Sequence, residues 1–309
     1  MIKYFDAHGD TLTEHCGKPL WDVNAHINLQ KAQIFDFYAQ FFAIFIDDLE
    51  FSEQEARREF LKVYDYALSQ FSLYGDKISL CKNSGDILRA QDEKKIAALL
   101  SIEGANVLAG DIENVQKYYD MGFRMMTLTW NNQNSAASGV RCEEDGGLTP
   151  FGREVVSEMD RLKMMIDISH IGEKGFWQVM ELSKRPIFAS HSNLKSVCGH
   201  FRNLSDEQLN AIVQSGGGCG INLCRDFIAD SGDCSVYHVL KHVEGFLNLG
   251  AKDALFVGAD LDGVDSTPDN LDSVDKMPLF YEEIKKQFGQ KTADDIFFDN
   301  LFRLVGNWI

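Results

Sequence analysis

Histidines and carboxylates stand at the ends of short apolar runs in this chain, at spacings that suit metal ligation. The first case is Asp6-Ala7-His8-Gly9-Asp10. Side chains alternate along a strand, so His8 and Asp10 project to one side and can grip one ion. Taken alone, the triplet is better explained as a histidine bonded to a nearby carboxylate in a loop. Asp6 reads as a structural group on the same face, deeper. In Ser101-Ile102-Glu103-Gly104 a carboxylate closes an apolar run, where each of its oxygens can take one metal. Ile166-Asp167-Ile168-Ser169-His170 and Ile187-Phe188-Ala189-Ser190-His191 are a matched pair, each ending in Ser-His. One such histidine is ordinarily a rim residue. Two in successive runs, facing the same way as His8, favour a shared site. Neutral imidazoles with carboxylates suit zinc, and open coordination positions mark catalytic rather than structural ions. Asp260, in Val257-Gly258-Ala259-Asp260-Leu261-Asp262-Gly263, closes a further run and suits a proton acceptor in metal-assisted hydrolysis. Asp262 reads as a turn residue before Gly263.

Such residues need a scaffold that brings strand ends together. Strand-like runs recur at Tyr4–His8, Phe41–Ile46, Ala97–Ile102, Arg124–Trp130, Met164–His170, Pro186–His191, Gly218–Leu223 and Leu255–Asp260. Helical patterning fills 52–70, 111–121, 152–162, 173–184, 205–214 and 235–249. Ser52-x-x-Glu55 and Ser205-x-x-Gln208 are capping-box starts. Periodicity alone leaves a doubly wound open sheet standing beside a closed barrel. The ligand-type residues decide it, because the C-terminal ends of barrel strands converge on one mouth. The predicted fold is an α/β, (β/α)8 TIM barrel of the metal-dependent hydrolase type. With only five prolines and no linker-like stretch, it should occupy residues 1–309 as one domain.

Composition narrows the partners. Forty-seven acidic residues against 30 basic give a net charge of −17, which disfavours nucleic acid and anionic membranes. The seven cysteines are scattered, with no CxxC, and read by default as reduced, buried thiols. No apolar leader precedes Tyr4, and the longest apolar run, Phe41–Ile46, is too short to span a bilayer. A cytoplasmic protein is expected, with a homodimer as the association left open. Gly216-Gly217-Gly218-Cys219-Gly220 precedes a strand, so it reads as a helix end and tight strand entry, not a phosphate loop. His15, His26, His200, His238 and His242 lack partners at ligand spacing and read as surface or rim residues.

Together these motifs resemble the membrane (renal) dipeptidase family of zinc metallopeptidases, in the amidohydrolase superfamily. Ala39-Gln40-Phe41-Phe42, Met126-Thr127-Leu128-Thr129, Ser190-His191-Ser192, and His200-Phe201-Arg202-Asn203-Leu204 followed by Asp206 extend the likeness over nearly the whole chain. The resemblance implies two divalent ions, Zn2+ in the family. His8 and Asp10 would hold one, His170 and His191 the other, and Glu103 would bridge them. It implies Arg202 as the receiver of a dipeptide's terminal carboxylate and Asp260 as the proton-transferring group. A hydroxide bridging the ions would attack the peptide carbonyl, and dipeptides with a C-terminal D-residue are the implied substrates. The chain departs from the pattern once. Where the best-known members carry a substrate-contacting histidine, it has Trp130, followed by Asn131, Asn132 and, after one residue, Asn134. Trp130 should narrow the pocket, and one of the asparagines could supply the missing hydrogen bond. The alternatives are hydrolysis of another small amide or a lactone by the same metals, and a catalytically silent metal-binding barrel.

Overall fold

The computed structural model describes residues 2–230 and 232–307. Nine strands among these residues join one parallel sheet. They are β1 (Lys3–Gly9), β2 (Phe37–Phe45), β3 (Ile78–Leu80), β4 (Ile96–Glu103), β5 (Phe123–Thr127), β6 (Met165–Asp167), β7 (Phe188–Ala189), β8 (Gly218–Ile221) and β9 (Leu255–Val257). The order is β2-β1-β9-β8-β7-β6-β5-β4-β3, and β2 also pairs with β4. That last pairing closes every strand except β3 into an eight-membered ring, the predicted (β/α)8 barrel.

β3 is the element the sequence pattern did not disclose. Its three residues pair with Ile96–Ala98, and β5 takes over the same side of β4 from Leu100 onward. Ile-Ser-Leu is too short to carry a period. The helices Ser84–Asp92 and Met277–Phe288 were also unread. In the second the signal is present, since Met277, Phe280, Tyr281 and Ile284 are buried at helical spacing. The six expected helices form, within a few residues of their expected ends. At Ser205 the box is complete: Gln208 N–H donates to Ser205 Oγ at 3.2 Å, and Ser205 N–H to Gln208 Oε1 at 2.9 Å. At Ser52 the Glu55 carboxylate accepts from the backbone N–H at 3.1 Å.

Two apolar clusters follow from strand alternation. Phe5, Phe41, Leu99, Met125, Met165, Phe188 and Phe256 come from strands all around the ring and meet in one cluster, which only the barrel interior allows. The neighbouring positions, such as Tyr4, Phe42, Leu100, Met126 and Ile166, pack outward against the helices. β8 presents glycine where other strands present large side chains. A Cβ at Gly220 or Gly258 would collide with the Ser190 carbonyl oxygen, so β7, β8 and β9 close only because these positions are glycine. Gly216 takes a φ of +83° in the turn between the helix Asp206–Gln214 and β8, as the strand-entry reading requires.

Candidate metal centre and active site

The strand ends deliver ligand-type side chains to one mouth by three local devices. Glu103 needs only alternation, lying on β4 in step with the inward Ala97 and Leu99. His8 needs a bulge. The β1–β2 register slips between Asp6 and Gly9, which breaks the alternation and re-aims the side chain. Asp6 therefore does not share the site face as strict alternation predicted. It stays with Tyr4, whose hydroxyl donates to it, and accepts from the backbone of His8 (3.2 Å) and Ala259 (2.9 Å). His170 and Asp260 use left-handed backbone, at φ +70° and +60°. Non-glycine residues seldom adopt that region, and where they do the surroundings must hold them there.

The five expected ligands and Asp260 meet. His8 Nε2 lies 3.4 Å from Asp10 Oδ2, 3.4 Å from Glu103 Oε2 and 3.8 Å from Asp260 Oδ1. The other Glu103 oxygen lies 3.0 Å from His170 Nε2 and 3.7 Å from His191 Nε2. One carboxylate thus faces two groups of donors. His8–Glu103–His191 and His8–Asp10–Asp260 each bring three potential ligand atoms within 4.8 Å of one another.

Hydrogen bonding sets which ring nitrogens face inward. Ser190 Oγ lies 2.5 Å from Asp167 Oδ2 and 2.7 Å from His191 Nδ1. Because the serine proton goes to the aspartate, Nδ1–H of His191 must donate to the serine, and Nε2 is left bare. Asn131 Oδ1 sits 3.0 Å from His170 Nδ1 and does the same for that ring. Two bare Nε2 atoms then stand 2.8 Å apart, an arrangement that repels unless a cation lies beside them. Both nitrogens of His8 and Oδ1 of Asp10 are also buried without a hydrogen-bond partner. Buried polar atoms left this way are costly, and a divalent cation would satisfy His8 Nε2, which faces Asp10 and Glu103, together with the Asp10 carboxylate. The donor set fits metal.

Electrostatics agree with a site built to share positive charge. Burial alone would lower the His8 pKa, but the Asp10 and Glu103 charges overcome it and hold it well above the usual value. Burial raises Asp10 to about 6 and Asp260 to about 8, in the second case helped by Asp10 and Glu103. Glu103 resists its burial and is lowered, because His8 and His170 surround it. Burial, then Arg202, push His170 down to about 4.

A cavity of about 240 Å³ opens over these groups, lined by Phe45, Trp130, Asn131, Arg141, His200 and Phe227 among others. Trp130 is half-buried in its wall, its ring centroid 5.1 Å from that of Phe45. The three asparagines part company. Asn131 lines the cavity, whereas Asn132 donates to Asp48 at 3.0 Å and Asn134 is spent on Leu128, Ala136 and Ala137. Arg202 is 5% exposed and lines a smaller cavity of about 50 Å³ that shares His170 with the larger one. Its Nη2 donates to the His191 carbonyl at 3.3 Å, and its Nε has no partner.

The structure corrects the readings of His242 and of the cysteines and extends that of Asp262. Of the cysteines expected to be buried, Cys16 is exposed, and Cys142 and Cys224 are half-buried. His242 is not a surface or rim residue but fully buried, accepting from Leu194 N–H and bonded to the Ile228 carbonyl, both at 3.2 Å. Asp262 is a turn residue at φ +69°, but also a knot, accepting from Thr11 Oγ1 (2.7 Å), His26 N–H (2.6 Å) and Ile27 N–H (3.2 Å). Two contributors were missed. Asp167 accepts from Thr127, Ser169 and Ser190, and Asn222 donates to Asp260 Oδ2 at 2.8 Å. An acid inside the apolar strand Met165–Asp167 was the available signal for the first. Asn222 carried none.

Comparison with known proteins adds the relatives. Residues 1–308 match the family described as membrane dipeptidase, peptidase family M19. A Klebsiella pneumoniae protein described as uncharacterized, from the pqqA 5′ region, is 32% identical over 242 residues, covering 75% of this chain and 89% of its own length. An Acinetobacter calcoaceticus protein from the PQQ-III 3′ region is 30% identical over 284 residues, covering 79% and 88%. Among solved structures, a Rhodobacter sphaeroides metallopeptidase liganded with a phosphinate mimic of L-Ala-D-Ala superposes with a TM-score of 0.92 at 23% identity. The alignment covers 100% of this chain and 99% of that one. A structure described as dipeptidase AC gives 0.91 at 24% identity, over 99% and 98%. At those identities the likeness is one of fold.

Proposed function

The chain belongs to the membrane dipeptidase family, peptidase family M19, and from that premise we propose that it hydrolyses dipeptides with two divalent metal ions, zinc by the chemistry of the donors. His8 and Asp10 would hold one ion, His170 and His191 the second, and Glu103 both. The observation that carries this reading is the division of Glu103, with Oε2 toward His8 at 3.4 Å and Oε1 toward His170 at 3.0 Å. Ions held there would supply Lewis acidity, easing the deprotonation of water and polarising the scissile carbonyl.

The remaining steps belong to the chain's own groups. Arg202 is a buried guanidinium whose Nε is unpartnered, and a terminal carboxylate would give it the anion it lacks. That contact fixes the register to two residues and orients the peptide bond. Asp260, which the positive charge of ions held beside it would keep ionised against its burial, accepts the proton lost as water adds to the carbonyl, then returns it to the leaving amine. Asn222 holds its Oδ2 and leaves Oδ1 toward His8, which keeps the carboxylate aimed at the site. Trp130 and Phe45 close one wall and favour small side chains. A D-residue at the C-terminal position is part of the proposal, supported by the Rhodobacter relative's L-Ala-D-Ala mimic. Residues 1–309 act as one catalytic domain in this reading. A cytoplasmic setting is part of the proposal, supported by seven cysteines scattered without CxxC spacing. No helix among the described residues is long and apolar enough to cross a membrane.

The test pairs elemental analysis with a substrate panel of L,L- and L,D-dipeptides, their C-terminal amides, N-acyl amino acids and lactones. About two metal ions per chain and turnover of L,D-dipeptides are expected. Activity without metal, or turnover confined to lactones, would overturn the reading.

A further inference from the structure

The segment between β5 and the helix Pro150–Leu162 doubles back beside His170. Gly139 N–H donates to Asn132 O at 3.0 Å and Arg141 N–H to Asn131 O at 2.9 Å, so 131–132 and 139–141 lie side by side. The opposite edge of 139–141 grips the turn after β6. Val140 N–H donates to the His170 carbonyl at 2.8 Å, Gly172 N–H donates to Ser138 O at 3.0 Å, and Gly139 makes an antiparallel bridge to Ile171. Any Cβ at Gly139 would strike the Trp130 and Asn131 carbonyls, so the close approach itself requires glycine. From the outer piece Asn131 reaches across to the His170 ring, Oδ1 to Nδ1 at 3.0 Å.

We infer that this loop is a clasp that sets metal affinity at His170, with Asn131 as its positioning residue. The loop holds His170 twice. Val140 anchors its backbone in the left-handed conformation, φ +70°, and Asn131 fixes the ring tautomer so that Nε2 points bare toward Glu103 and His191. Groups that orient a ligating imidazole through its other nitrogen typically contribute ten- to a hundredfold in metal affinity. Asn131 thus acts through His170, in addition to lining the cavity. The inference rests on the proposed ligand role of His170.

Zinc alone is the probe, titrated against a chromophoric chelator with protein stripped of metal. Asn131→Ala should weaken one of two sites about ten- to a hundredfold and leave the other unchanged, which also reports an intact fold. Asn131→Asp keeps an acceptor for Nδ1–H and should restore the affinity. Gly139→Ala should weaken the same site by forcing the two pieces apart. His170→Ala provides the reference loss. If His170→Ala loses a site while Asn131→Ala binds both ions as the wild type does, the clasp is wrong. If His170→Ala itself keeps both sites, the ligand reading fails and takes the clasp with it.

Discussion

Glu103 stands between two groups of donors, and the proposed site makes both depend on it. Its oxygens face different imidazoles, so Glu103→Gln should lower zinc occupancy at both positions, whereas His170→Ala should mainly empty one. Zinc content after dialysis checks this, and a Glu103→Gln protein retaining two ions would dismiss the bridging role. Asp260 faces the site through Oδ1 while Asn222 secures Oδ2. Asp260→Asn should keep the metals and reduce kcat by roughly 10²–10⁴-fold, the usual contribution of a general base. Normal turnover would remove Asp260 from that role. Arg202→Ala should raise KM for free dipeptides while sparing their C-terminal amides, which lack the anion. Equal losses on acids and amides would show that the guanidinium serves the fold instead.

At the scale of elements, the helix Val236–Asn248 is tied into the active-site side of the barrel by one buried side chain. His242 bonds the backbone after β7 at Leu194 and the backbone after β8 at Ile228. Burial pushes its pKa down to about 4, so the folded protein holds the ring neutral. The unfolded chain takes up that proton near the ordinary value of about 6.5. Between those values the unfolded state binds more protons, and stability falls as the pH falls. The contribution is complete above about pH 6.5 and lost by about pH 4, some 1.4 kcal/mol per unit, or roughly 2 kcal/mol between pH 6.5 and 5. Urea denaturation at the two pH values should show this extra loss in the wild type and not in His242→Gln. Parallel slopes would assign the acid sensitivity to other groups. β3 and the bulge in β1 teach a related lesson. Neither leaves a period in the sequence, because a three-residue strand and a one-residue slip take their identity from the neighbour they pair with.

For the whole molecule, the mouth concentrates three carboxylates and three imidazoles in buried positions, with His170 Nε2 2.8 Å from His191 Nε2 and ligand oxygens of Asp10 and Asp260 within 4.8 Å of each other. A ligand that binds only the folded state stabilises it by mass action, about 4 kcal/mol at a thousandfold excess over Kd. Removal of metal with a chelator should therefore lower Tm by several degrees while the far-ultraviolet circular dichroism stays that of a barrel. An unchanged Tm would mean that the mouth tolerates its buried polar groups unaided. The ligand-type residues were legible in the sequence because each ends an apolar run, and the barrel followed because such ends converge in few architectures. His8, Asp10, Glu103, His170, His191 and Asp260 stand out by residue type and place at a run's end, although the aim of His8 depends on the bulge against β2. The rest depended on distant contacts. Asn131 could be read as a substrate contact from its place after β5, but its bond to His170 exists only because 139–141 folds back between 131–132 and the turn after β6. His242 had no ligand spacing and was assigned to the surface, since nothing local reports that two loops close over it. Asn222 is one amide among many until β8 and β9 pair and set it against Asp260. Local pattern determined which residues could bind a metal; packing between segments far apart in the chain decided how each is held.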